Sequence, residues 1–268
     1  MLRWFEHSQV YHPSRYLQAT AAELGRPVED VYFRATDTVE LNGWFYPANT
    51  DSGRGSMAVL VCHGNGGNIS HRLDLYAALL STGVNVFAFD YRGYGRSAGR
   101  PSEEGTYLDA QAAWHWLKGK GISGERLIAY GESLGGGVVS ELALREQLGG
   151  LILQSTFTCL ADIGAELFPW LPVRRMARIK YETCTRLPRI YVPVLVMHSR
   201  TDELIPFHHG ERNLALANEP KLFCEISGCH ANPLEDRARF LEGVNKFLGL
   251  VEGRTSFPRD GKFHGVSN

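Results

Sequence analysis

The chain has 268 residues, 44% of them hydrophobic and 21% charged, and a formal net charge of -1. That balance fits an ordinary globular protein with a sizeable core. It offers no basic excess for a nucleic-acid partner, since the short cluster Arg174, Arg175, Arg178 and Lys180 reads as solvated surface.

In chain order, the stretch 1–5, which ends in Trp4 and Phe5, is too short for a membrane span because polar residues resume at Glu6 and His7, and no later run is long enough. Packing onto the body is expected of Trp4 and Phe5, with contact at a membrane surface as the other reading. From 28 to 47, Val31 and Phe33 and then Val39, Leu41, Trp44 and Tyr46 flank Thr36-Asp37-Thr38, which predicts an antiparallel hairpin. After the glycine-rich stretch 52–56, apolar runs recur at 57–62, 84–89, 126–130, 151–154, 192–198 and 221–226. Such runs predict strands buried in a parallel sheet. Helical spacing lies between them, in Leu73, Ala77 and Leu80, in Leu108, Ala112 and Trp116, across 134–147, and in Leu234, Ala238, Leu241, Val244 and Leu248. The alternation implies right-handed crossovers in one α/β domain. Its mostly parallel sheet of about eight strands would carry helices on both faces, with reactive groups at the strands' carboxyl ends. Residues 155–189, rich in proline and aromatics, break the rhythm and are expected to form a small helical cap. Polar, aperiodic 251–268 is expected to be a flexible tail.

Five cysteines, Cys62, Cys159, Cys184, Cys224 and Cys229, are an odd number without zinc-type spacing and follow no secretory signal. A reducing cytoplasm is the expected compartment.

The chemistry centres on Gly131-Glu132-Ser133-Leu134-Gly135, set between a strand-like and a helix-like run. A turn of this kind pushes the serine into a strained, exposed position, and glycines on either side remove Cβ atoms that would clash. Ser133 is therefore the candidate nucleophile. A serine hydroxyl needs a base to take its proton and an acid to hold that base. Asp202, in the loop after the strand ending at His198, is the candidate acid, with neighbouring Glu203 and upstream Asp90 as competitors. His230, between the last strand and the last helix, is the candidate base. Backbone amides can stabilise an oxyanion. Leu134 at a helix start offers one, and the loop His63-Gly64-Asn65-Gly66-Gly67-Asn68 offers another, from Asn65. This loop lacks the lysine of a phosphate-binding loop and the spacing of a dinucleotide fingerprint.

With these motifs the chain resembles the α/β-hydrolase superfamily, and within it the short-capped serine hydrolases of the bud-emergence and protein-depalmitoylase branch. The resemblance runs from about residue 10 to residue 248. It rests on His63-Gly64-Asn65, on Asp90-Tyr91-Arg92-Gly93-Tyr94-Gly95-Arg96-Ser97 with Gly99 and Pro101-Ser102-Glu103-Glu104-Gly105, and on Gly131-Glu132-Ser133-Leu134-Gly135-Gly136. It implies a nucleophile at Ser133, an acid at Asp202, a base at His230 and oxyanion donors at Asn65 and Leu134, with no metal or organic cofactor. Two departures stand out: Cys229 precedes His230 where the branch usually has glycine, and the hairpin turn has Asp37-Thr38 for Asp-Gly. Cys229 reads as a packed thiol, with crowding or modulation of the base loop as the alternative.

The expected reaction is hydrolysis of carboxylic esters with small to medium acyl chains, the partner being a small-molecule ester. Phe157, Leu160, Phe168 and Trp170 either line an acyl pocket or fasten the cap. A thioesterase acting on S-acylated protein or acyl-CoA is the nearest alternative, suggested by the resemblance. A non-catalytic binding module is the alternative of another class. A peptidase would bring a gating domain or a site for a charged terminus, and neither is visible. Oligomeric state is not fixed by the sequence.

Overall fold

The computed structural model describes residues 2–255. Its strands are β1 (His12–Pro13), β2 (Glu29–Arg34), β3 (Glu40–Tyr46), β4 (Ala58–Cys62), β5 (Gly66–Gly67), β6 (Asn85–Phe89), β7 (Leu127–Glu132), β8 (Gly150–Gln154), β9 (Val194–Ser199) and β10 (Lys221–Ile226). Its helices are α1 (Leu2–Val10), α2 (Leu73–Leu80), α3 (Glu103–Gly119), α4 (Leu134–Arg145), α5 (Leu160–Leu167), α6 (Val173–Met176), α7 (Thr183–Arg186), α8 (Phe207–Leu216) and α9 (Arg237–Thr255).

Eight strands form one sheet in the order β10-β9-β8-β7-β4-β6-β3-β2. Neighbours from β6 to β10 run parallel, and the β2–β3 hairpin joins antiparallel at the β6 edge. The continuous apolar runs follow from burial on both faces. Leu60, Cys62, Ala129, Leu151 and Leu153 face a core shared with α3 and α4, while Val59, Val61, Ile128, Tyr130 and Ile152 face one shared with α2 and α9. β1 and β5 form a separate two-stranded parallel pair that seats His12 beside Gly66 and Pro13 beside Gly67. Helix α3 starts at a serine cap: the Ser102 hydroxyl accepts the Gly105 amide at 3.1 Å, and Glu103 and Glu104 occupy the positive first turn.

Several elements differ from the sequence reading. α8 was not expected because its buried positions are His209, Gly210 and Asn213, so no apolar stripe marks it. α1 was likewise unread; it lies against the 155–189 segment, with Glu6 accepting the amides of Arg178 and Ile179 at 2.6 and 2.9 Å. That segment contains α5, α6 and α7. α9 continues to Thr255, five residues into the stretch read as tail, and 256–268 lie outside the described residues. Phe5 is 47% exposed, and the side chain of Trp4 lies outside what is described.

The hairpin turn carries a conformational cost. Thr38 is exposed and has φ 69°, a left-handed conformation that its branched Cβ disfavours. Asp37 beside it is committed to Arg92 at 2.6 and 3.1 Å, and Arg92 in turn holds buried Asp109 at 2.7 Å. Arg92 holds the Asp37 carboxyl below its ordinary pKa. Thr38→Gly is expected to stabilise the fold by about 1 kcal/mol, net of the extra freedom glycine gains when unfolded. Scanning calorimetry should show a Tm rise of roughly 2–4 °C; a lower Tm would mean that the threonine side chain offsets its own strain.

Candidate active site

Strand β7 and helix α4 meet at Ser133, which has φ 51° and ψ -114°, far from either element's backbone. The turn survives because its neighbours lack side chains. A Cβ on Gly131 would stand 2.5 Å from the Gly135 carbonyl oxygen, and one on Gly135 or Gly136 would collide with the Cys62 carbonyl or with Thr156. Ser133 donates its amide to the Gln154 carbonyl at 2.9 Å and accepts the Gly136 amide at 3.0 Å, so both sides of the turn are tied down. The side chain is nearly buried, at 5% exposure.

His230 Nε2 lies 3.1 Å from Ser133 Oγ, and its Nδ1 lies 2.9 and 3.0 Å from the two carboxylate oxygens of Asp202. Three loops at the carboxyl ends of β7, β9 and β10 thus bring the three expected residues into one hydrogen-bonded line. Asp202 Oδ1 also accepts the amides of Leu204 and Ile205 at 3.0 and 2.8 Å. Burial pushes the pKa of Asp202 up, but the bonds from His230 and Ile205, with the attraction of His230, outweigh it and hold the pKa below the ordinary value. Glu203 does not touch the ring: it accepts the backbone amide of His230 at 2.9 Å and so fixes the loop. Asp90 is also elsewhere, accepting the Ile69 amide at 2.9 Å and facing His63 at 3.5 Å.

A cavity of about 720 Å³ opens over Ser133 and His230, a size suited to a small organic ligand. Gly64, Asn65, Gly66, Arg72, Glu132 and Arg237 are among its lining residues. Asn65 spends its other groups on structure. Its side chain donates to the Val10 carbonyl at 3.1 Å, and its carbonyl accepts the His12 amide at 3.1 Å and the Tyr94 hydroxyl at 2.9 Å. Leu134 is the first residue of α4, where an amide has no intrahelical acceptor.

A family model described as serine aminopeptidase, S33, matches residues 54–182. The uncharacterized protein Rv2307c of Mycobacterium tuberculosis is 39% identical over 252 residues, covering 92% of this chain and 89% of that protein. The α/β-hydrolase domain-containing protein WAV2 of Arabidopsis thaliana is 33% identical over 252 residues, covering 84% and 81%. The chain belongs to the α/β-hydrolase family. The esterase Pf2001 of Pyrococcus furiosus shares the fold, with a TM-score of 0.70 and 23% identity over 89% of this chain and all of that one.

The four residues read as either acyl-pocket lining or cap fasteners are not among those that line the cavity at Ser133. Phe157 is buried in the core, and Trp170 is 75% exposed. Leu160 and Phe168 line a second, apolar cavity of about 170 Å³ between α1 and the α5–α6 region. Aromatic composition marked the segment, but only the backbone course decides which rings reach which cavity. Cys229 is exposed, contrary to the packed thiol expected, in a loop where the preceding Gly228 has φ 106°. The sequence reading also missed Arg72 as a site residue. Arg72 Nε and Nη2 donate to the Glu132 carboxylate at 2.8 and 3.2 Å.

Among the described residues, Glu166, His208 and His209 have the composition of a metal-ligand set, but none lines the Ser133 cavity. The Thr158 amide donates to His209 Nδ1 at 3.1 Å, which puts the proton of the neutral ring on Nε2, facing Glu166 at 3.3 Å. Burial pushes the pKa of His209 down, in keeping with a neutral ring. A ligating histidine ordinarily donates from its second nitrogen, whereas His209 accepts there, so this cluster reads as a carboxylate facing two imidazoles.

The depressed pKa of Asp202 has a stability consequence. A carboxyl held below its unfolded pKa, about 3.9, contributes stability above that pH and loses it as the pH falls through the folded value. Asp202→Asn should therefore lower the urea midpoint near neutral pH, and the gap to wild type should narrow in acid, below about pH 4. A gap independent of pH would show that Asp202 is not a stabilised anion.

Proposed function

We propose that this hydrolase cleaves carboxylic esters of small to medium acyl chains through an acyl-enzyme on Ser133. The observation that carries the reading is the unbroken line from Asp202 through His230 to Ser133 at a strained turn facing an open cavity. His230 Nε2 takes the proton of Ser133 Oγ as the oxygen attacks the ester carbonyl, and Asp202 stabilises the imidazolium while fixing the tautomer. The amides of Leu134 and Asn65 receive the oxyanion. The tetrahedral adduct collapses with loss of the C–O bond to the alcohol, which takes its proton from His230. Water, deprotonated by the same ring, then attacks the acyl-enzyme and releases the carboxylic acid.

The cavity supports the restriction on chain length. Arg72, Glu132, His71, Asp74, Asn232 and Arg237 share its wall with Leu75, Pro233 and Leu234. A long alkyl chain laid there would cover polar groups without satisfying them. A reducing compartment such as the cytoplasm fits the five free thiols.

Ser133→Ala should lower kcat on p-nitrophenyl butyrate by at least about 10⁴-fold while the circular dichroism spectrum is unchanged. A fluorophosphonate probe should label wild type at Ser133, as peptide mapping will show. Retained turnover in Ser133→Ala would overturn the mechanism. A higher kcat/KM on the palmitate ester than on the butyrate would overturn the chain-length reading alone.

A further inference from the structure

We infer that Arg72 and Glu132 are positioning residues, a charged clamp that sets the Asn65 amide against the turn at Ser133; the inference rests on the serine-hydrolase reading above. Glu132 is the last residue of β7 and directly precedes Ser133. Arg72, 60 residues earlier, holds its carboxylate through two nitrogens at 2.8 and 3.2 Å. The same guanidinium donates from Nη1 to the Asn68 carbonyl at 2.9 Å and from Nη2 to the Gly66 carbonyl at 3.1 Å. One planar group therefore spans the nucleophile turn and the loop that follows β4. It grips that loop immediately after Asn65.

The loop needs such a grip. Gly64, Gly66 and Gly67 have no side chains to fasten it, and Gly67 sits at φ 76°. Its outer edge is anchored by bonds from His12 and Tyr94 to the Asn65 carbonyl and from Ser14 to the Gly67 carbonyl. Its inner edge, facing the nucleophile, is anchored by Arg72. The fit there is close: a Cβ on Gly64 would lie 3.1 Å from Glu132 Oε1 and 3.5 Å from Ser133 Cβ.

Chemistry favours an ionised pair in this place. Burial pushes the pKa of Glu132 up, but the charge of Arg72 and its hydrogen bonds bring it below the ordinary value. A largely shielded ion pair of this kind is weak evidence for stability, because desolvation opposes the Coulomb gain. Its geometric return is larger: a fork of fixed donors dictates direction as well as distance. Lysine keeps the charge but cannot hold one carboxylate and two carbonyls in a plane.

The test uses the full chain in three forms: wild type, Arg72→Lys, and the double variant Arg72→Met with Glu132→Leu, which leaves neither charge without its partner. Three quantities are read: kcat and KM on p-nitrophenyl butyrate, the inhibition constant of butaneboronic acid, whose tetrahedral serine adduct needs the oxyanion donors, and hydrogen–deuterium exchange of amides 64–68. In folded variants kcat should fall about 10- to 100-fold with KM within about twofold, short of or equal to the loss of one donor outright. The boronate constant should rise by the same factor, and amides 64–68 should exchange faster. A merely structural pair would leave the boronate constant unmoved. Folded variants with wild-type kcat and boronate affinity would overturn the clamp. Wild type without Ser133-dependent turnover would instead overturn the hydrolase reading, and unchanged exchange at 64–68 would then overturn the clamp independently.

Discussion

The backbone of Ser133 is the point on which the rest of the site is built. At φ 51° and ψ -114° it costs on the order of 1–3 kcal/mol and persists only because its surroundings over-determine it. Pairing of β7 with β8 runs to Glu132 and Gln154, the Ser133 amide continues the ladder to Gln154, and α4 begins at the next residue. Gly131 and Gly135 let α4 start in contact with the ends of β7 and β4, at distances no Cβ would allow. The serine oxygen is thereby fixed at the centre of the sheet's carboxyl edge. The loops after β4, β9 and β10 can reach it without crossing one another.

In and behind the site, four acidic side chains have been given four different partners. Asp202 takes the His230 ring, Glu203 the His230 amide, Glu132 the Arg72 guanidinium, and Asp90 the Ile69 amide. The division matters because a mobile carboxylate beside His230 could hold it in a non-productive orientation. His198 is kept out of the exchange in a similar way. Burial pushes its pKa down, and its Nε2 donates to the Ile205 carbonyl at 2.8 Å, although Asp202 is only 3.7 Å away. Asp202 is left to orient a single imidazole.

The sheet was legible because its strands are buried on both faces, which leaves unbroken apolar runs such as Ala58–Cys62. Edges were less so: Arg126 belongs to the turn before β7, and Pro193 defers β9 to Val194. Ser133, Asp202 and His230 could be read because each sits at a fixed structural punctuation, a turn or a loop after a strand. Arg72 could not. An arginine in an ordinary helix approach has no local signature, and its partner Glu132 is 60 residues away. The same limit applied to α8, whose buried face is polar, and to Leu160 and Phe168, whose composition suggested a pocket without saying which one.

A hydrogen bond links residues that line the two cavities. Val10 lines the apolar cavity, Asn65 lines the one at Ser133, and the 3.1 Å bond from the Asn65 side chain to the Val10 carbonyl joins their walls. In the proposed reaction, an acyl chain that parted this bond to reach Leu160 and Phe168 would disturb the loop that carries Asn65. Asn65 is also the residue whose amide is proposed to receive the oxyanion. A long chain would thus gain apolar contact with the far cavity while loosening the donor needed in the transition state. Interactions that help the bound substrate without helping the transition state do not raise turnover. The Asn65–Val10 bond thus couples α1, and the apolar cavity beside it, to the loop proposed to present the oxyanion donor.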